Sequence, residues 1–233
     1  FEIGPFNAAT GSFAFATGLQ TVASGNHSST RGFATTASGD KSHAEGDNTT
    51  ANGYASHSEG WYTNANGNYS HAEGNNTTAI GERSHSEGGS TTANGISAHA
   101  EGVFTTANGT HSHAEGSYTI SNGQSSHAEG GQTTTNGIAS HAEGISAIAN
   151  GNGSHAEGHF TIANANYSHV TGRYNLEDTT EGAFIIGNGY NTSSGRSNLL
   201  KAAGNEVQVF GKTSTETIQI SNGAFDGYVL TSD

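Results

Sequence analysis

Ser42-His43-Ala44-Glu45-Gly46-Asp47-Asn48-Thr49-Thr50-Ala51-Asn52-Gly53-Tyr54-Ala55 is one turn of a repeating unit, and Ser56 opens the next. The words Ser70-His71-Ala72-Glu73-Gly74, Ser112-His113-Ala114-Glu115-Gly116 and Ser154-His155-Ala156-Glu157-Gly158 fall on the same 14-residue grid. A glycine column runs from Gly18 to Gly172 over twelve consecutive rungs, and Gly4 fits one rung earlier. A second word, such as Thr49-Thr50-Ala51-Asn52-Gly53 or Thr105-Thr106-Ala107-Asn108-Gly109, places another glycine seven residues after the first. Each rung is therefore two half-coils.

A five-residue strand followed by a Gly-x-x corner fits this spacing. Glycine supplies the positive φ of tight turns, and β-branched threonine favours the extended part. A helix would need a 3.6-residue period, which is absent. Alternate strand residues point to opposite faces, so Ser42 and Ala44 share one side and His43 and Glu45 the other. Thr49 and Ala51 likewise oppose Thr50 and Asn52. Small residues thus line one face of both strands, as a flattened two-sided coil requires. At about 4.8 Å per rung, thirteen rungs make a rod on the order of 60 Å long.

Composition agrees with a repeat rather than a globular core. The chain of 233 residues is 31% hydrophobic, has 35 glycines and carries a formal charge of −13. Such values alone would suggest disorder, but disordered chains do not keep a strict period over 150 positions. Seven Lys and Arg, scattered along the chain, form no stripe that could neutralise phosphates, so no nucleic-acid partner is expected. No apolar run is long enough for membrane insertion, and no signal-like segment opens the chain. Because it begins at Phe1 and lacks Met, the sequence reads as a fragment or processed piece. Absence of Cys removes disulfides and thiolate zinc sites but leaves the compartment open. An interior this thin buries little per rung, which makes oligomerisation the natural supplement.

The grid resembles the left-handed parallel β-roll heads of trimeric autotransporter adhesins of the YadA type, and Ala14-Phe15-Ala16-Thr17-Gly18 looks most like that family's wording. The SHAEG form resembles repeats of bacteriophage tail fibres and neck appendages. Ala183-Phe184-Ile185-Ile186-Gly187-Asn188-Gly189, Arg196-Ser197-Asn198 and the ending Gly227-Tyr228-Val229-Leu230-Thr231-Ser232-Asp233 also look fibre-like. The resemblance implies an all-β, left-handed parallel β-roll of 14-residue rungs with two short strands each, assembled as a homotrimer. In the adhesin heads the His43 and Glu45 positions carry Val and Ile facing the trimer axis. This chain departs from that at ten rungs.

Stacked glutamates one rung apart repel by about 1 kcal/mol each in water. The histidines two residues away are the available partners. The sequence reading assigns His43, Glu45, His57, Glu59, His71, Glu73, His85, Glu87, His99, Glu101, His113, Glu115, His127, Glu129, His141, Glu143, His155, Glu157 and His169 to an interface network around the trimer axis. No cofactor is expected, with axial ions or ordered water as candidates to share that task. The one His-x-His word, His111-Ser112-His113, is the candidate metal site, because such words in phage fibres form octahedral iron sites where three chains converge. Ser, His and Glu occur as repeated columns and not as one convergent cluster, so no catalytic residue and no enzyme activity are expected.

The corner after the SHAEG strand carries Trp61, Tyr62, Phe104, Tyr118 and Phe160. The last four share one slot and should align along an edge of the rod. Exposed aromatics of this kind either contact a host-surface glycan or protein receptor or pack on a neighbouring subunit. Thr50, Thr78, Thr92, Thr106 and Thr134, beside Asn52, Asn94, Asn108, Asn122 and Asn136, form a flat polar ladder that also resembles an ice-binding face; Asn64, Ile80, Ile120, Ile148 and Ile162 interrupt it.

After Gly172 the grid fails at Arg173-Tyr174-Asn175-Leu176-Glu177-Asp178. Residues 1–172 are read as the β-roll and 173–233 as a transition segment with a small β cap or neck, built on Glu206-Val207-Gln208-Val209-Phe210 and Thr217-Ile218-Gln219-Ile220. Such a cap would protect the open sheet edge. The leading expectation is a stiff, receptor-attaching segment of a trimeric phage tail fibre or appendage on the virion. The alternative is the head of a bacterial surface adhesin, extracellular; a second alternative is an ice-binding β-solenoid.

Overall fold

The computed structural model describes residues 1–192 and 194–210, so Thr217–Ile220 and the closing Gly227–Asp233 words lie outside the described residues. Among the described residues there are strands and turns and no helix. A sixteen-stranded sheet takes one strand from each rung, beginning at Glu2–Ile3, passing through His169–Arg173 and Phe184–Asn188, and ending at Glu206–Val209. A twelve-stranded sheet takes the other half of each rung, from Ala8–Ala9 to Ile162–Ala163. Neighbours within the roll are parallel and pair at the repeat spacing, as in His57↔His71, Glu59↔Glu73 and Asn64↔Thr78. The molecule is a parallel β-solenoid of about 13 turns.

The two halves of a rung are unequal, unlike the matched half-coils expected. The first half holds a five-residue strand such as His43–Asp47, and the second only Thr50–Ala51. Asn52 and Gly53 leave the extended run to form the turn, both donating their N–H to the Ala65 carbonyl at 2.9 and 3.3 Å.

The glycine columns also differ. Gly46 has φ 111, where a side chain is strained, and a Cβ there would lie 2.2 Å from the Gly60 carbonyl oxygen. Gly53 needs no positive φ; its Cβ would lie 1.9 Å from the Gly67 oxygen. The second column is glycine because successive rungs nearly touch. The left-handed residues are instead non-glycine positions two past each glycine, such as Asn48 (φ 54) and Ala55 (φ 50). Each costs about 1–2 kcal/mol of backbone energy. Their N–H groups bond the preceding rung, to Phe33 O at 2.9 Å and Asp40 O at 2.8 Å, which offsets the strain.

Inside the coil, Ala44, Ala51 and Thr49 are fully buried, and this Ala/Thr filling repeats from rung to rung. The Ser of each SHAEG word is also buried and donates its hydroxyl to the carbonyl three residues earlier, Ser42 Oγ to Gly39 O at 2.6 Å and Ser112 Oγ to Gly109 O at 2.7 Å. A buried methylene-sized group is worth about 0.8 kcal/mol, so two alanines per rung supply little. The stacked backbone ladder carries the rod.

The first sheet does not stop at Gly172. Phe184–Asn188 adds a parallel strand with Gly172↔Gly187, a one-residue slip of the grid, before Asn198–Ala203 and Glu206–Val209 close with antiparallel pairing. The second sheet ends at Ile162–Ala163, where fully buried Asn175 takes over. Its side-chain Oδ1 accepts the Ile162 N–H at 2.8 Å and its Nδ2 donates to Ile162 O at 3.0 Å. One rung earlier the equivalent N–H, that of Ile148, bonds the backbone carbonyl of Thr161. Asn175 thus replaces a missing rung with a side-chain amide. Lys201 is ion-paired with Asp178 beyond it.

Candidate functional site

Strand alternation places every SHAEG histidine and glutamate on the outer face of the first sheet, half-exposed beside the buried alanine between them. Parallel register then forces identical side chains to stack. The imidazoles of His57 and His71 lie 4.8 Å apart and 3° from parallel, and this continues to His127–His141 at 4.9 Å and 4°. The rings turn away at the ends, with His43–His57 tilted 52° and His155–His169 tilted 41°.

From His71 to His169 each histidine meets the glutamate of the preceding rung, whereas the sequence suggested its own rung. His71 Nε2–H donates to Glu59 Oε1 at 3.3 Å, His99 to Glu87 at 3.1 Å, His127 to Glu115 at 3.2 Å and His141 to Glu129 at 3.3 Å. His85–Glu73, His113–Glu101, His155–Glu143 and His169–Glu157 are longer contacts of 3.4 to 3.9 Å. His43 alone faces its own Glu45, at 3.7 Å, because Arg31 occupies the glutamate position one rung earlier and Ser29 the histidine position. Ser29 Oγ lies 2.5 Å from His43 Nδ1. At the other end Thr171 follows Glu157. The polar ladder is bounded by Arg31 and Thr171.

Electrostatics follow from this stacking. Burial, and then the neighbouring imidazoles, hold His57, His85, His127 and His155 below the usual histidine value, and His113 is lowered by burial and His99. Glutamates share protons along the column. A hydrogen bond with Glu101 pushes Glu115 up to about 7, and one with Glu129 pushes Glu143 up to about 7. The same bonds hold Glu101 and Glu129 low. Beside the glutamates, the bare glycine column leaves an open groove of about 500 Å³ lined by Glu129, Glu143, Glu157 and Thr171.

His43-Glu45-His57, His57-Glu59-His71 and their successors bring one donor atom each within 4.8 Å of one another, close enough to converge on a metal ion. The His-x-His word is divided between settings: His113 joins His99 and Glu101 in such a triad, whereas His111 sits exposed in the preceding corner at φ 57.

The aromatic corners form short clusters and not one ridge. Phe104 stacks on Tyr118 at 4.9 Å, Trp61 meets Tyr62 edge-on at 4.7 Å, and Phe160 stacks on Tyr174 at 4.9 Å. Asn76 and Ser90 separate Tyr62 from Phe104, and Gln132 and Ser146 separate Tyr118 from Phe160. Trp61, Tyr62, Phe104 and Tyr118 are exposed, while Phe160 is half-buried.

On the opposite sheet the asparagines hydrogen-bond in series, Asn94 to Asn108 at 2.6 Å, Asn108 to Asn122 at 2.7 Å and Asn122 to Asn136 at 2.8 Å. This amide ladder is neutral, each asparagine donating one N–H to the next and accepting one from the last.

Fold and repeat together define a β-roll whose outer face is a polar ladder. Residues 31–56, 65–84 and 142–164 match the YadA head domain repeat, which, with the β-solenoid, supports a roll of the YadA type. No curated protein matches the chain.

Proposed function

We propose that this chain is a rigid segment of a homotrimeric attachment fibre, of the kind formed by the head of a bacterial surface adhesin, standing outside the cell and acting without catalysis. The observation that carries this reading is the match of three stretches to the YadA head repeat on rungs that stack in register. The trimer is supported by the half-exposed His/Glu face, where ring nitrogens and like-charged carboxylates lack full compensation within one chain. Packing that face against two further copies would supply partners for them. A phage tail fibre or appendage on a virion is the second reading, favoured by the SHAEG wording.

Light scattering on the purified chain is expected to give three times its 23.7 kDa mass. A stable monomer would remove the trimer. Beads coated with the protein separate the two readings: retention on animal cells supports the adhesin head, and retention on bacterial cells supports the fibre. The exposed corners Trp61, Tyr62, Phe104 and Tyr118 are the contacts to replace with serine in that assay.

A further inference from the structure

We propose that the His/Glu ladder is a one-dimensional array of binding sites for divalent transition-metal ions, each formed by two imidazoles one rung apart and the carboxylate between them. Two nitrogen donors and one oxygen donor suit Zn2+, Ni2+ and Cu2+, with water completing the shell.

In His57-Glu59-His71 and His85-Glu87-His99 the donor atoms lie within 4.8 Å of one another. A tetrahedral ion with bonds of about 2.0–2.1 Å holds its donors roughly 3.4 Å apart. Closing that gap takes about an ångström. The Nε2 atoms lie at the far ends of the rings, so a modest side-chain rotation supplies it, within a face that is half-exposed in the single chain and that the proposed trimer would turn inward.

Neighbouring triads share a histidine, and a neutral Nε2 has one lone pair to give. Adjacent gaps therefore cannot all fill, and ions must occupy every second one. The hydrogen bonding sets which. Nε2 of His57, His85 and His113 is shielded from solvent and makes no well-formed hydrogen bond, His85 and His113 keeping only looser contacts of 3.4 and 3.5 Å to Glu73 and Glu101, whereas Nε2 of the alternate rungs His71, His99 and His127 bonds a glutamate at 3.1 to 3.3 Å. A shielded nitrogen without a well-formed hydrogen bond is costly, and an ion would satisfy it. Each pair 57/71, 85/99 and 113/127 then combines one weakly bonded nitrogen with one His–Glu pair whose ring proton is released to solvent as the ion takes its place. His155 Nε2 likewise lacks a well-formed hydrogen bond, lying 3.8 Å from Glu143, and pairs with His141. His43 and His169, whose rings tilt away from the stack, are left outside. The array holds four ions per chain.

The test is equilibrium dialysis of chelator-stripped full-length protein against Zn2+ at neutral pH, with oligomer mass measured in parallel so that failure of the trimer and failure of metal binding are read separately. Four ions per chain are expected. The double variant His85→Gln, His99→Gln should bind three, and the corner variant His111→Gln should still bind four. Fewer than one ion per chain, or a count unchanged by the double variant, overturns the proposal. Electron paramagnetic resonance of the Cu2+-loaded unmodified protein needs no variant: splitting from two nitrogens per ion is expected, and an oxygen-only spectrum overturns it.

Discussion

Over twelve rungs the two sheets share the same small-residue filling and the same spacing, yet their outer faces are opposites. One carries stacked imidazoles and carboxylates whose protonation depends on the neighbouring rung. The other is edged by a neutral amide ladder of asparagines bonded in series. The inward residues and the glycines specify the coil; the outward residues are free to carry something else. On the first sheet that freedom is spent on titratable groups, whose contribution to the coil depends on their protonation. On the second it is spent on asparagines, whose side chains extend the backbone ladder.

The largest effects should come from breaking what the sheets have in common. Gly102→Ala places a Cβ 2.2 Å from the Gly116 oxygen at φ 101, and Gly109→Ala places one 1.9 Å from the Gly123 oxygen without positive φ. Each is expected to cost about 3–5 kcal/mol, the first through strain and crowding, the second through crowding alone. Ala165→Gly should change stability by no more than about 1 kcal/mol. Ala165 already fills the second-column slot, because no further strand of that sheet lies beyond Ile162–Ala163. Thermal melts of the three variants check this; a tolerated Gly109→Ala would show that the rungs can spread.

The faces themselves should separate by pH. His57, His85, His113, His127 and His155 are lowered in the folded state, so it binds fewer protons than the unfolded chain, and their stabilisation, complete above the ordinary 6.5, is lost as pH falls. Glu115 and Glu143 run the other way. Raised to about 7 from 4.5, they contribute stability that is complete below pH 4.5 and lost as pH rises through about 7. Melting temperature should therefore fall toward acid on the histidine limb, below about 6.5, and toward alkali on the glutamate limb, between about 4.5 and 7, so that the glutamate limb acts alone above about 6.5. Glu115→Gln with Glu143→Gln should flatten the alkaline limb. Asn108→Ala and Asn122→Ala, on the neutral face, should leave the pH profile unchanged in shape.

Much of this contrast could be read from the sequence, because a parallel stack in register converts a column in the text into a column in space. His43 to His169 and the Thr/Asn ranks needed only the 14-residue grid. The pairing of His71 with Glu59 and not Glu73 did not follow from the grid, since it depends on how side chains lean between strands. Nor did the second glycine column's cause, since a close approach and a positive φ both select glycine. Asn175 read as part of an irregular insertion; its role depends on reaching a backbone group thirteen residues away. The Phe184–Asn188 strand had a signal in its glycine, Gly187, one residue off the grid.

What joins the two faces is the buried threonine between them, and there the smallest effect discriminates most finely. Thr63 and Thr91 hydroxyls bond Ser58 and Ser86 across the coil at 2.8 Å, whereas Thr105 faces Ala100 and its Oγ1 is buried without a partner. Exchanging a buried, unpaired hydroxyl for a methyl of the same shape removes a desolvation penalty, so Thr105→Val should be neutral or stabilise by up to about 1 kcal/mol. Thr63→Val should instead cost about 1–2 kcal/mol, because it strands the Ser58 hydroxyl. Ala100→Ser would give Thr105 the partner that Thr63 has, and combining it with Thr105→Val should remove that benefit. Chemical denaturation of the four variants measures the coupling. Equal effects of valine at positions 63 and 105 would mean that the interior hydroxyls are satisfied by something other than each other.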